Sequence, residues 1–345
     1  MKSSAFGMCA CLALIASAPV HAAPGDERYA QPGRIVSVAD GARLNLYCSG
    51  TGSPVIIFEA GHGDWAPAWA IVQPRAAEFT QACSYDRAGV GFSDSGPAPR
   101  SAARLAEELH DALHAAGIGG PYLLVGHAFG SYPVRAFADS HLGEVAGMVL
   151  IDPDARDVES GALEGFWNRM YARQLPQLEL CRAAVTAGKR LPLVPPPDYP
   201  HLTCYDRLFR NLPEPAFSPQ LNAKLEEIAG RKAAVYQELI DEMQEMPADD
   251  AYLRAHKTLL GKRPLRVISV SHHLTDRPTT TSAEHLEHMQ LSYERALADS
   301  HLLELSSNAK QTFAQPGAYV QFGQPDLVIA AIREVYDLSI SRDGS

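Results

Sequence analysis

The chain has 345 residues, of which 46% are apolar and 20% charged. Length and apolar fraction together give a core well above the marginal-stability limit and exclude disorder. With 30 Lys and Arg against 40 Asp and Glu, a net charge of −10, a nucleic-acid binder is excluded, because that class needs a basic stripe.

The first residues read as an address. Lys2 is the only charge before Asp26, the stretch from Ala5 to Ala18 is small and apolar, and Ala22 and Ala23 offer a cleavage site. Residues 1–23 are therefore expected to be a signal peptide, giving a secreted or periplasmic chain. No later stretch supplies the ~20 apolar residues of a stable membrane span. Cys9 and Cys11 leave with the signal. Cys48, Cys83, Cys181 and Cys204 remain, and an even count in an oxidising compartment suggests disulfides, with three possible pairings. Cys48–Cys83 and Cys181–Cys204 are favoured: the first two sit near predicted strands, and the last two share one helical, Pro-rich segment. The spacing matches no zinc site.

Short apolar runs then alternate with helical patterns. Pro54 to Phe58 and Ala82 to Asp86 read as strands, the second ending in a Gly-rich turn from Arg87 to Gly91. Ser101 to Ala116 reads as an amphipathic helix capped by Ser101, with Leu105, Leu109 and Leu113 on one face and Gly117 ending it. Tyr122 to Val125 is a strand, Phe129 to Ala138 a helix, and Val145 to Ile151 a strand ending at Asp152-Pro153. Leu265 to Val270 and Ala309 to Phe313 are further strands, and Pro325 to Tyr336 a closing helix. Such alternation predicts an α/β fold with a mainly parallel sheet covered on both faces. Residues 155–262 break the alternation, with helical patterns, a Pro195-Pro196-Pro197 cluster and no convincing strand. They are expected to be a helical cap inserted between the two parts of the core, 24–154 and 263–345.

Gly126-His127-Ala128-Phe129-Gly130 follows a strand and opens a helix, the context of the nucleophile elbow G-x-S-x-G. Around it lie Phe58-Glu59-Ala60-Gly61-His62-Gly63 with Trp69, then Tyr85-Asp86-Arg87-Ala88-Gly89-Val90-Gly91-Phe92-Ser93, then Met148 to Asp152, then Pro316-Gly317-Ala318-Tyr319-Val320 before Gln324-Pro325-Asp326-Leu327-Val328. On these five stretches, in this order, the chain resembles the α/β-hydrolase family, specifically secreted, cap-bearing serine hydrolases of the esterase and lipase kind. The resemblance covers nearly the whole mature chain. It implies an oxyanion hole from the backbone amides of Phe129 and His62. It places the nucleophile at 128, the base at 318, and the acid at Asp152, with Asp276 as the rival acid.

Both reactive positions depart from the pattern. Position 128 is alanine where the family has serine, and position 318 is alanine where it has histidine. Acyl transfer needs an oxygen nucleophile and an imidazole to deprotonate it, so the triad is expected to be disabled. Two alanines in an otherwise intact frame suggest inactivation of an active hydrolase; a natural pseudoenzyme that binds or senses ligand is the alternative. Substitutes for the lost groups are few. Ser131 is expected in helix packing, His127 is expected packed away from the pocket, and His272-His273 read as a solvated pair. His62 could border the pocket and hold a water as a relocated base. No cofactor or metal is expected, and the partner is a small ester-like molecule. Phe166, Trp167, Tyr171, Leu208 and Phe209 read first as packing within the cap rather than as an acyl or aryl pocket. Oligomeric state has no signal in the sequence.

Overall fold

The computed structural model describes residues 25–158, 161–189, 204, 214–270, 281–315 and 319–341. Eight strands form one sheet: β1 (Arg34–Ser37), β2 (Arg43–Ser49), β3 (Val55–Glu59), β4 (Ala82–Asp86), β5 (Tyr122–His127), β6 (Val145–Ile151), β7 (Gly261–Val270) and β8 (Ser306–Ala314). Their order is β1-β2-β4-β3-β5-β6-β7-β8. The β1–β2 and β2–β4 pairs are antiparallel, and every other neighbouring pair is parallel.

Every residue of β3, β4 and β5 is buried. A parallel strand covered on both faces has no solvent side, which is why β3 and β5 read as mostly apolar runs, whereas β4 also buries Ser84 and Asp86. Alternate side chains still go to opposite faces. Ile56, Phe58, Leu123 and Val125 join the core packed by α1 (Val72–Ala76) and α9 (Pro325–Ile340). Val55, Ile57, Tyr122 and Leu124 join the core packed by α2 (Ala102–Ala115) and α3 (Ser131–Ser140). The expected cap on α2 is present: Arg104 N donates to Ser101 Oγ at 3.4 Å. The short α8 (Val320–Gly323) leads into α9.

Three expectations need adjustment. The β1–β2 hairpin was not predicted, although Asp40-Gly41 between alternating Val36, Val38 and Leu44, Leu46 is a hairpin signal. The helix expected from Phe129 begins at Ser131, because Ala128–Gly130 form a separate 3-10 turn. Strand β7 starts at Gly261 rather than Leu265, with Pro264 near its exposed beginning.

Between β6 and β7 the described residues hold α4 (Ala162–Thr186), α5 (Pro219–Arg231) and α6 (Ala233–Ala255), and no strand. Buried ion pairs fasten this helical insertion to the core. Arg87 pairs with Glu59 and with Glu242 of α6, and Arg100 pairs with Glu108 of α2 and Glu238 of α6. Glu238 and Glu242 are four residues apart, so one face of α6 meets both arginines. Lys232, just before α6, donates to the carbonyls of Val90, Gly91 and Ser93. Helix α7 (Ser282–His301) lies between β7 and β8.

Both favoured disulfides are formed. Cys48 and Cys83 are register partners on β2 and β4, and Cys181 of α4 bonds Cys204. The proposed signal peptide, with Cys9 and Cys11, lies outside the described residues. Among the described residues no helix is long and apolar enough to cross a membrane.

Candidate active site

Three consecutive features of the chain build the elbow after β5. Strand β5 ends at His127, Ala128 takes φ +47°, and α3 starts at Ser131. The flanking glycines are sterically required. A Cβ at Gly130 would lie 2.5 Å from Glu59 O, and one at Gly126 would lie 2.7 Å from Gly130 O. Close approach of this turn to the end of β3 leaves no room for side chains. Ala128 itself holds a left-handed conformation that costs an L-residue about 1–2 kcal/mol. Its carbonyl accepts from Asp154 N at 3.1 Å, which ties the elbow to the turn after β6.

That second turn repeats the strain. Asp152 has φ +44° and follows Ile151, the register partner of His127 across β5 and β6. Asp152 and Ala128 therefore leave adjacent strands at the same level of the sheet. Arg295 of α7 donates to Asp152 Oδ1 at 3.1 Å and to the carbonyl of Pro153 at 3.1 Å. The guanidinium also lies 5.9 Å from the Trp167 ring of α4, so one side chain links α7, the turn after β6 and the helical insertion. Sequence reasoning missed Arg295; nothing in its local spacing marks it.

The loop after β3 closes the other side. A Cβ built on Gly61 would lie 3.5 Å from Ala128 Cβ, which places this loop against the elbow. Arg87 fixes its course: Nη1 donates to Ala60 O at 2.8 Å and Nη2 to Gly61 O at 2.9 Å. With those carbonyls taken, the His62 segment is held in one orientation. Arg87 also pairs with Glu59, whose second oxygen accepts from Tyr85 Oη. Burial pushes the Glu59 carboxyl up, against the opposing pull of Arg87. The Tyr85-Asp86-Arg87 turn thus works as a frame beneath the site. Asp86 in turn accepts from Asn45 Nδ2, Phe92 N and Ala66 N.

The rings of His62 and Phe129, the two residues expected to supply amides, lie 6.1 Å apart. His62 Nε2 is 3.0 Å from Leu239 O, and a carbonyl only accepts, so Nε2 carries the proton. His127 is buried as expected, with Nδ1 3.8 Å from Asp64 Oδ2. Its ring lies 5.3 Å from that of Tyr319, whose hydroxyl donates to Asp64 Oδ1 at 2.7 Å. Asp64 and Tyr319 are 255 residues apart, and neither was singled out from sequence. Ser131 is buried and donates to Asp154 O at 2.8 Å, the packing role expected of it.

Phe166, Trp167 and Tyr171 pack on one another along α4, with ring separations of 5.3 and 6.2 Å. Ala318, Asp276, His272, His273, Leu208 and Phe209 lie outside the described residues. Two side-chain groups among the described residues could hold a metal ion, Glu107–His110–His141 and His110–His114–Glu144. Both lie beside α2 and the far end of α3, about 15 Å along that helix from the elbow.

The chain belongs to the alpha/beta hydrolase family, whose model matches residues 48–331. Among its sequence relatives is YqjL of Bacillus subtilis, 36% identical over 115 residues, which are 32% of this chain and 44% of that protein. The chain spans less than half the length of the relatives it matches in sequence. The fold is shared with the epoxide hydrolase CorEH, at TM-score 0.59 and 16% identity over 88% of this chain and 98% of that one. It is shared too with a thermophilic esterase from Thermogutta terrifontis, at TM-score 0.55 and 19% identity over 90% and 99%.

Proposed function

We propose that this chain is a serine-hydrolase scaffold for carboxylic ester or related acyl bonds whose triad is disabled by Ala128 and Ala318, and that it binds ester-like ligands with negligible turnover. The observation that carries the reading is the φ of +47° at Ala128. A methyl group gains nothing from a strained turn, whereas that turn is what lifts a nucleophile above an α/β-hydrolase sheet. The frame around it supports the same reading: the glycine contacts, the Arg87 clamp on the loop of His62, and Asp152 one strand over. Tyr319, next in the chain to Ala318, packs against His127, which supports a base position beside the elbow. Asp152 is the retained acid, and the Phe129 and His62 amides form the oxyanion hole. Such a hole alone leaves about a thousandfold over water, while loss of one key triad member costs about a millionfold. Residues 155–262 act as the cap over this pocket. Export to an oxidising compartment is part of the proposal, supported by the two disulfides.

The test is a rapid-mixing assay with an activated aryl acetate. The chain as written is expected to give no burst of aryl alcohol, and Ala128→Ser with Ala318→His to restore turnover. Sustained cleavage by the unsubstituted chain, lost on changing His62, would overturn the reading in favour of a relocated base. Tight ligand binding with no recovery in the double variant would overturn it in favour of a pseudoenzyme that binds without a hydrolytic past.

A further inference from the structure

Helix α2 carries His110 and His114 one turn apart, so both imidazoles project from the same face. Across from them, the 3-10 turn Leu142–Glu144 joins α3 to β6 and presents Glu144. His110 Nε2 lies 3.1 Å from Glu144 Oε1, and His114 Nε2 lies 3.4 Å from Glu144 Oε2. Burial works against charge on Glu144, yet the hydrogen bonds from both histidines hold its carboxyl below the usual range.

A fourth side chain selects the geometry. The rings of His110 and His141 are parallel to within 1°, with centroids 3.7 Å apart. Imidazole lone pairs lie in the ring plane, so two stacked rings cannot converge on one ion. His141, with Nε2 3.1 Å from Glu107 Oε1, therefore serves as a plate that fixes the His110 ring. The convergent donors are His110, His114 and Glu144, whose ligand atoms all lie within 4.8 Å of one another. A tetrahedral ion with bonds of about 2.0–2.2 Å sets donor separations of about 3.3–3.6 Å. The observed 3.1 and 3.4 Å contacts run to the two different oxygens of Glu144, so they bring both imidazoles to the carboxylate without yet sharing one oxygen. An ion replacing the two hydrogen-bonded protons draws the three groups together by a turn of the Glu144 carboxylate and the exposed His114 ring. His114 is more than half exposed, so solvent can supply the fourth ligand.

We propose that His110, His114 and Glu144 form a divalent transition-metal site, of the zinc class, that staples α2 to the turn between α3 and β6. Two imidazoles and a carboxylate suit Zn2+, Ni2+ or Cu2+ and disfavour Mg2+ and Ca2+, which take oxygen ligands. An ion that binds the folded chain and not the unfolded one raises stability with its concentration. The site is independent of the elbow and of any hydrolytic reading.

The experiment uses untagged full-length protein stripped with EDTA and titrated with ZnCl2 against a chromophoric chelator, with thermal unfolding followed in parallel. The expected result is one Zn2+ per chain with a Kd on the order of micromolar, and a rise in Tm that saturates with the same midpoint. His114→Asn and Glu144→Gln are each expected to weaken binding at least about tenfold with the metal-free Tm nearly unchanged. Absence of Zn2+ uptake at ~100 μM, far above that Kd, overturns the proposal. So does uptake of equal affinity in His114→Asn, an exposed position whose change leaves the fold intact even if a His110 variant does not fold.

Discussion

Arg87 donates Nε–H to Glu242 across 2.7 Å, joining the turn after β4 to α6, with 2% of one side chain and none of the other exposed. The same guanidinium holds Glu59 and the carbonyls of Ala60 and Gly61. One cation thus sets both the seat of the helical insertion and the course of the loop beside the elbow. Removing Glu242 leaves the buried Arg87 Nε–H without its acceptor and the cation with Glu59 alone, and breaking a buried ion pair costs about 3–5 kcal/mol. Glu242→Ala is therefore expected to lower stability by that amount, read as a shift in urea midpoint without change in slope. A loss under about 1 kcal/mol would show that Glu59 alone satisfies Arg87.

Ala128 offers the opposite sign. Its left-handed backbone costs an L-residue about 1–2 kcal/mol, and glycine gives back about 0.5–1 kcal/mol through its looser unfolded state. Ala128→Gly is expected to stabilise the chain by about 0.5–1 kcal/mol, visible as a higher Tm. Two residues on, Gly130→Ala places a methyl 2.5 Å from Glu59 O, and is expected to destabilise by several kcal/mol or prevent folding. Equal effects at the two positions would mean that the elbow relaxes freely.

The contrast between these sites shows what the chain reveals by itself. Strands β3, β5 and β6 were legible because a strand covered on both faces is apolar along most of its length, and the elbow because its glycines are forced by close backbone approach. The β1–β2 hairpin escaped because its edge strand is short and mostly exposed, so alternation carried little weight beside the stronger central runs. Arg87–Glu242, Asp64–Tyr319 and Arg295–Asp152 escaped for a different reason. Their partners lie 155, 255 and 143 residues apart, and a charged or phenolic side chain looks the same in sequence whether it meets water or a buried partner. The His110–His114 spacing is visible on α2, but Glu144 joins it only through the fold.

Asp249 of α6 accepts from Ala102 N, the first amide of α2, at 2.9 Å. Burial pushes its carboxyl up to about 7 despite that hydrogen bond, with Glu245, Asp250 and Glu242 adding to the rise. Below about pH 4 the group is protonated in both folded and unfolded chains. Between about 4 and 7 the unfolded chain ionises while the native state keeps its proton, so stability falls as pH rises. Above about 7 both are ionised and the loss is complete. Asp249→Asn keeps the acceptor and removes the titration. The difference in unfolding free energy between variant and parent is expected to grow by about 2–4 kcal/mol from pH 4 to pH 8, in favour of the variant. Urea unfolding at both pH values reads it, and a constant difference would contradict the assignment.

The disulfides supply a comparison with a numerical expectation. Cys48–Cys83 closes a separation of 35 residues and Cys181–Cys204 one of 23. If each acts by restricting the unfolded chain, each contributes about 3–4 kcal/mol, and the two differ by under about 0.5 kcal/mol. Their settings differ far more. Cys48 and Cys83 are direct partners on β2 and β4, so the bridge reinforces the antiparallel edge that carries β1. Cys181 lies on α4, in the helical insertion, with both sulfurs buried. The Cys48→Ala/Cys83→Ala and Cys181→Ala/Cys204→Ala double variants are expected to lose nearly equal stability in urea. A loss at the sheet edge larger by 2 kcal/mol or more, about a 30-fold difference in equilibrium constant, would instead locate the effect in the native sheet.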